Sequence, residues 1–360
     1  MGKVILTMKK YLSSFKSRFK SVVNTEWRSL LLLPLFFVGS FFVSSLSAAT
    51  LNVYTYSSFT SDWGPGPKLK QAFENQCNCE VKYISSDDGV RLLNRLRLEG
   101  KNTQADVVVG LDDALIEEAR NLELVQPHGL TLASLKLKPE LNWQAADFVP
   151  FDLGYFAFVY DRQKTQPVTS MAELLSSDAR IIYQDPRTST PGQGLLIWMQ
   201  AIYGDNQGKN NSSEAWQKMR QRTVTVTKGW SEAYNLFLQG EADYVLSYSS
   251  SPAYHLIAEK SDRYAAALFS EGHARQVEVA AIGQHSNQVA LGQQFLTFLL
   301  SEEAQKIIAV NNWMLPARDG VELPEAFSQL IQPKAIGFTP EEIHQQRQAW
   351  IREWRSAVSR

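Results

Sequence analysis

Between Tyr183 and Gly194 the chain sets one guanidinium, Arg187, and three hydroxyls, Thr188, Ser189 and Thr190, just ahead of a turn fixed by Pro191 and Gly192. The apolar run Leu195 to Met199 follows at once, so the turn is expected to open a helix. The first amides of a helix lack partners within it and form a ready site for phosphate, carboxylate or hydroxyl oxygen. The segment shows no apolar periodicity, and no acid, base or nucleophile stands in it in a recognisable catalytic pattern. Its chemistry suits holding a small polar molecule, not transforming one.

Four further polar and aromatic clusters have the same character: Tyr56 to Phe59, Ser85 to Gly89, Gly229 with Trp230, and Tyr248 to Ser251. Three of these have a plainer structural alternative. Asp88 would serve as a helix cap, Trp230 as core, and Ser249 to Ser251 as an ordinary turn. Arg187 is read as a structural partner of Asp185 that never meets ligand. The five histidines show no ligand spacing, so no metal site is expected. The two cysteines, Cys77 and Cys79, flank one residue and are expected to pair as a local disulfide closing a helix-to-strand turn.

The elements that must carry these clusters alternate between β-rich and amphipathic runs, the pattern of an α/β fold with a mainly parallel sheet. Strands are predicted at Leu51 to Tyr56, Glu80 to Ile84, Asp106 to Gly110, Arg180 to Tyr183, Thr223 to Thr227 and Ala242 to Tyr248. Helices are predicted from Pro67 to about Gln76, after Asp88, over Ala114 to Leu122 and over Ser231 to Leu238. Phe148 to Tyr160 and Gln276 to Ile282 read as two long extended crossings, which implies two discontinuous lobes joined by a two-segment hinge. The lobes are placed at 50–151 with 280–360, and at 152–279. Thr339 and Glu342 have capping-box chemistry, and Ile343, Trp350, Trp354 and Val358 mark one face of a closing helix. The site clusters fall beyond the carboxyl ends of strands, where open α/β sheets bind ligands.

Residues 1–49 read as a leader. A basic opening precedes the apolar run Leu30 to Val38 and the small residues up to Ala49, the three-part pattern of a secretory signal cleaved near Ala49. The alternative is a retained membrane anchor, although the run falls short of the ~20 residues that span a bilayer. The leader takes seven of the 36 Lys and Arg and one of the 37 acids, which leaves 29 bases against 36 acids. An acidic body argues against a nucleic-acid partner, whose phosphates need a basic face, and mildly favours a cationic ligand.

Taken together, Tyr54 to Tyr56 with Asp62 to Pro67, Asp88 and Gly89 with Leu92 to Arg97, Asp185 to Gly192, Thr223 to Tyr234, Ser251 to Tyr254 and Asn312 to Met314 resemble the periplasmic thiamine-binding proteins of bacterial ABC importers. The similarity runs in order from about Leu51 to Arg360. It implies a two-lobed type II periplasmic-binding-protein fold, capture of thiamine, thiamine monophosphate or thiamine diphosphate, no cofactor, and delivery to a membrane permease with its ATPase. The family's ligand contacts map onto Asp88, Gly89, Ser189, Thr190, Trp230, Tyr248, Ser249, Ser250 and Ser251, with Tyr56 and Trp313 as further aromatic contacts. Where the family has two threonines after the site tyrosine, this chain has Ser249 and Ser250. On this reading Trp230, Tyr248, Tyr56 and Trp313 face the thiazolium cation. Asp88 neutralises it, with a lowered pKa. The Ser189 and Thr190 amides and hydroxyls take the hydroxyethyl or phosphate end. The protein is expected to be a monomer in the periplasm. The rival from the enzyme class is a thiaminase-like transferase with a cysteine nucleophile, which needs a free thiolate. A rival within the binding class takes another organic cation.

Overall fold

The computed structural model describes residues 48–204 and 211–359. The expected leader lies almost wholly outside the described residues. Among them no helix is long and apolar enough to cross a membrane.

The first predicted strand forms as β1 (Ala49–Tyr56), with Leu51 and Val53 fully buried. After the one-turn α1 (Ser57–Thr60), α2 (Gly66–Cys77) starts with a proline in its first turn, where a missing N–H costs nothing. Asn78 then adopts a left-handed φ of 50°, and the Cys77–Cys79 disulfide closes the turn into β2 (Cys79–Ser86), as the spacing suggested. Asp88 caps α3 (Gly89–Glu99), whose Val90, Leu93 and Leu96 are buried. β3 (Val107–Asp112) is buried throughout, and α4 (Ile116–Asn121) and the short β4 (Val125–Gln126) follow.

The long extended run forms as β5 (Val149–Asp161). Beyond it come α5 (Met171–Ser176), β6 (Ile181–Gln184), α6 (Thr190–Tyr203), α7 (Ser212–Arg222), β7 (Thr223–Thr227), α8 (Trp230–Leu238), β8 (Tyr244–Tyr248), α9 (Pro252–Ala258) and β9 (Tyr264–Ala266). The second crossing is β10 (His273–Gly283), and α10 (Val289–Leu299), α11 (Glu302–Asn311), β11 (Leu315–Pro316), β12 (Ala335–Ile336) and α12 (Pro340–Val358) complete the chain.

The strands join in the order β2-β1-β3-β10-β5-β8-β6-β7. The outer strands are parallel: β1 with β2 and β3 at one end, β6 with β7 and β8 at the other. The middle is antiparallel, because β10 runs against both β3 and β5, and β5 against β8. β5 serves both halves. Its residues up to Tyr155 pair with β10, and Phe156 to Tyr160 pair with β8. The apolar cores separate accordingly. One set gathers Leu51, Val107, Phe151, Phe295 and Ile308, and another gathers Phe158, Ile181, Trp198, Trp216 and Leu246.

The closing helix departs from the expected division. α12 begins with the capping box predicted at Thr339 and Glu342. Its Ile343, Trp350, Trp354 and Ala357 are buried with the 152–279 core, not with the 280–360 portion to which it was assigned. It also reaches α4 through a buried ion pair, Arg347 with Glu118. An apolar face of four side chains decides where a helix docks, and one ion pair then ties its other side.

Candidate functional site

A cleft of about 340 Å3 opens where the carboxyl ends of the parallel strands meet from both halves of the sheet. That volume falls within the range of small-molecule sites, roughly 300–1,000 Å3. Tyr56, Asp88, Thr190, Trp230, Tyr248, Ser251 and Trp313 line it, all expected from the sequence. Among the described residues that line it there is no Lys, Arg or His.

One corner is built around Asp88, only 6% exposed. Its Oδ1 accepts from the Gly89 amide at 2.7 Å, the Thr190 amide at 3.0 Å and the Thr190 hydroxyl at 3.0 Å. Its Oδ2 accepts from the Ser189 hydroxyl at 2.8 Å and the Trp230 amide at 3.4 Å. One carboxylate thus meets the starts of α3, α6 and α8, where unpaired amides and helix dipoles favour negative charge. The approach is close: a Cβ on Gly89 would come within 2.6 Å of the Gly110 carbonyl oxygen and 2.7 Å of the Thr190 methyl carbon.

This corner revises one expectation. The Ser189 and Thr190 donors are already engaged by the protein's own acid. The lowering expected of the Asp88 pKa belongs to a bound cation; within the protein alone, burial pushes it up more than the bonds from Thr190, Ser189 and Gly89 pull it down. Ser189 is fully buried behind the cleft wall. Arg187 is paired with Asp185 at 2.6 Å and lies over the Trp354 ring, the structural role read from its spacing.

The floor carries a second acid that the sequence reading missed. Glu278 on β10 lines the cleft at 6% exposure. Its Oε2 accepts from the Tyr56 hydroxyl at 2.7 Å and its Oε1 from the Gln276 amide at 3.1 Å. The chain of bonds continues on both sides. Tyr248 donates its hydroxyl to Gln276 at 2.9 Å. Asn312 donates to the Tyr56 oxygen at 2.9 Å and to Asp152 at 2.8 Å. In the sheet register Glu278 faces Asp112 of β3 on one side and Asp152 of β5 on the other. Register shifts beside both pairings leave Gly110 and Phe151 as extra residues; bulges of this kind re-aim side chains. Gly110 has φ +96°, and any Cβ there would strike the Tyr56 ring at 2.2 Å, so only glycine lets that ring lie on β3.

Three buried acids in one row repel one another and lose hydration. Burial is the main cause that raises all three: Asp152 to about 8, and Glu278 and Asp112 well above their ordinary range. Oδ1 of Asp152 and Oδ1 of Asp112 are buried without a hydrogen-bond partner.

The walls are aromatic. Trp230 stacks on Tyr234 with centroids 4.9 Å apart and donates its indole N–H to Ser247 at 2.7 Å. Trp63, half exposed, lies 6.1 Å from Trp230. Trp313 also lines the cleft, edge-on to Tyr254 at 5.4 Å. Its φ of +58° is rare for a bulky residue and costs free energy that a binding role would account for.

The remaining expected residues stand behind these surfaces. Gly89 starts α3 under Asp88. Ser249 is buried and donates its amide to the Tyr155 carbonyl at 2.8 Å. Ser250 is buried with its hydroxyl unpartnered. Besides Glu278, the cleft adds Asn235, outside every stretch singled out for the site, and Ser58, Tyr234, Tyr254 and Asn312, which lie within such stretches but were not named as contacts. A signal for Glu278 existed. In Gln276-Val-Glu-Val279 the alternation puts an amide and an acid on one face of a strand whose other face is apolar.

Both cysteine sulfurs lie in the disulfide, so the chain offers no thiolate nucleophile in this structure. Among the described residues no group of His, Cys, Asp and Glu is arranged to hold a metal ion.

The family model for bacterial extracellular solute-binding proteins matches residues 51–311. A thiamine-binding periplasmic protein of Salmonella typhimurium is 56% identical over 314 residues, covering 86% of this chain and 94% of the relative. A solved periplasmic thiamin binding protein superposes with a TM-score of 0.83 at 54% identity, covering 87% of this chain and 97% of the other. A ferric binding protein from Campylobacter jejuni shares only the fold, with a TM-score of 0.70 at 18% identity over 85% of this chain and 99% of its own. These likenesses establish the type II periplasmic-binding-protein fold. The chain belongs to the bacterial extracellular solute-binding protein family.

Proposed function

We propose that this protein is exported to the periplasm, captures thiamine in the aromatic cleft and hands it to the membrane permease of an ABC importer. One observation carries the reading. The cleft joins aromatic faces to two acids, with no cationic lining residue among those described, in a chain over half identical to thiamine-binding relatives. A thiazolium cation against Trp230, Tyr248 or Trp313 gains roughly 0.5–2 kcal/mol per ring, more when water is excluded. Removal of a leader near Ala49, a monomeric state, and closure of two lobes belong to the same proposal, one built on 50–151 with the chain after 280 apart from α12, the other on 152–279 with α12 packed against it. The hinge would then be β5 and β10, the two strands shared by both halves of the sheet. Capture without turnover is also part of it, since the relatives are named as binding proteins. The site residues proposed are Tyr56, Asp88, Thr190, Trp230, Tyr248, Ser251 and Trp313 at the surface, supported from behind by Gly89, Ser189 and Ser249; Ser250, also expected from the sequence, is buried behind the cleft with its hydroxyl unpartnered.

Calorimetry with thiamine, thiamine monophosphate and thiamine diphosphate tests the reading. One saturating site with affinity in the nanomolar range is expected, about −12 kcal/mol. The absence of any heat or tryptophan quenching with all three ligands would refute it, and tighter binding of a simple polyamine would transfer the site to another organic cation. Trp230→Ala is expected to weaken thiamine binding about 2- to 30-fold, the equivalent of one cation–π contact.

A further inference from the structure

The Asp112, Glu278 and Asp152 side chains occupy one row across β3, β10 and β5, in direct cross-strand register. Like charges directly opposite each other destabilise a sheet, so three acids held here call for a reason beyond packing. Glu278 alone of the three opens onto the cleft. The groups around it offer little to offset a negative charge. Tyr56 on β1 and Gln276 on β10 donate to it, and Asn312, in the segment after α11, ties Tyr56 to Asp152. Tyr248 on β8 reaches only Gln276, and Asp88 at the start of α3 adds further repulsion. Arg347 on α12 faces Asp112 from behind and is already paired with Glu118. Asp113, next to Asp112, holds the Val277 amide at 3.1 Å.

We propose that Glu278 is the carboxylate that meets the ligand's cation, and that capture expels a proton from the Asp112–Glu278–Asp152 row into solvent. The row then acts as a stored counter-charge. Empty, it carries protons that relieve its repulsion; when a fixed cation enters, the Glu278 O–H proton leaves and the carboxylate faces the cation. Asp88, whose two oxygens already accept five hydrogen bonds at three helix starts, keeps its structural task. A neutral molecule of similar shape would gain nothing from the exchange, so the row is also a device for charge selection.

The inference rests on the thiamine reading. Its test is titration calorimetry of the purified wild-type protein with thiamine, between pH 6.5 and 8.5, in two buffers of different ionisation enthalpy. The expected result is release of up to about one proton per thiamine bound, with affinity rising by up to about tenfold per pH unit below the row's own titration. Glu278→Gln should abolish the release, flatten the pH dependence and weaken binding at least about tenfold. Asp152→Asn, behind the floor, provides a second reading should Glu278→Gln fail to fold: with one repelling neighbour gone, Glu278 ionises earlier and proton release at pH 7 falls. Thiamine binding by wild type with no buffer-dependent heat overturns this inference and leaves the thiamine reading standing. Full release retained in Glu278→Gln also overturns it. No thiamine binding by wild type overturns both.

Discussion

Asp88 and Glu278 each bring a carboxylate to the same cleft at 6% exposure, yet their surroundings differ in kind. The Asp88 corner supplies five donors from three helix starts and the loop before one of them. The Glu278 floor supplies two donors and sets two more acids in register beside it. Burial raises both pKa values; at Asp88 hydrogen bonds oppose the rise, whereas at Glu278 the charges of Asp152 and Asp88 add to it against the hydrogen bonds from Tyr56 and Asn312. A buried charge with its donors filled is architecture; one that is short of donors and faces a cavity is available to a ligand. The contrast separates an acid that builds the cleft from an acid the cleft presents.

The largest expected effect lies at the corner. Asp88→Ala leaves buried amides and hydroxyls of Gly89, Ser189, Thr190 and Trp230 without an acceptor, at about 1–3 kcal/mol for each donor truly orphaned. A stability loss of about 3 kcal/mol or more in urea unfolding is expected, with Asp88→Asn in between. A loss under about 1 kcal/mol would mean that water already serves these donors, and the comparison would fail at its stronger side.

The floor should respond with the opposite sign. Burial pushes the Asp152 carboxyl up to about 8 in the folded chain, from an ordinary value near 3.8. Between those pH values the unfolded chain has lost a proton that the folded chain keeps. Raising the pH through this window therefore lowers stability, on the order of 1 kcal/mol per pH unit for one such group, and the loss levels off above the folded value. Thermal melts at pH 5 and pH 8 should show the higher midpoint at pH 5. Asp152→Asn should shrink the difference, and at pH 8 should stabilise the protein. A higher midpoint at pH 8 in wild type would show that the row is ionised and compensated from elsewhere.

What the residues disclosed in advance divides along similar lines. Strand alternation, the Pro67 helix start, the Thr339 capping box and the Cys77–Cys79 turn are local signals, and each formed where its sequence placed it. The placement of site clusters beyond strand ends was also legible, because parallel α/β topology fixes it. The partners of Asp88 were not. Its bonds to Ser189, Thr190 and Trp230 span more than 100 residues of chain, and no periodicity encodes a contact of that range. The docking of α12 was missed for a like reason. Its apolar stripe announced a buried face but not which core would receive it, and Arg347, in line with that stripe, is buried against Glu118. Glu278 was overlooked because an acid in a strand reads as a solvated position, and the crossing predicted at Gln276 to Ile282 did not disclose that β3 and β5 cover both its edges.

Ser250 offers the smallest effect and sharpens the contrast by a third case: a buried hydroxyl that neither builds nor presents. It is 1% exposed, its oxygen has no partner, and it does not line the cleft. Its neighbour Ser251 does line the cleft and shares a 2.7 Å hydrogen bond with Ser247, whose oxygen also receives the Trp230 indole N–H. Replacing a buried, unpaired hydroxyl with hydrogen removes a desolvated group and breaks no bond, so Ser250→Ala should change stability by no more than about 0.5 kcal/mol, in the stabilising direction if at all. Thiamine affinity should stay within twofold. Ser251→Ala should cost about 1 kcal/mol and loosen the Trp230 ring that Ser247 holds. A tenfold weakening in Ser250→Ala alone would reverse this assignment: it would mean that the bound ligand reaches past the Tyr248 ring and supplies the partner that the hydroxyl lacks in the unliganded cleft.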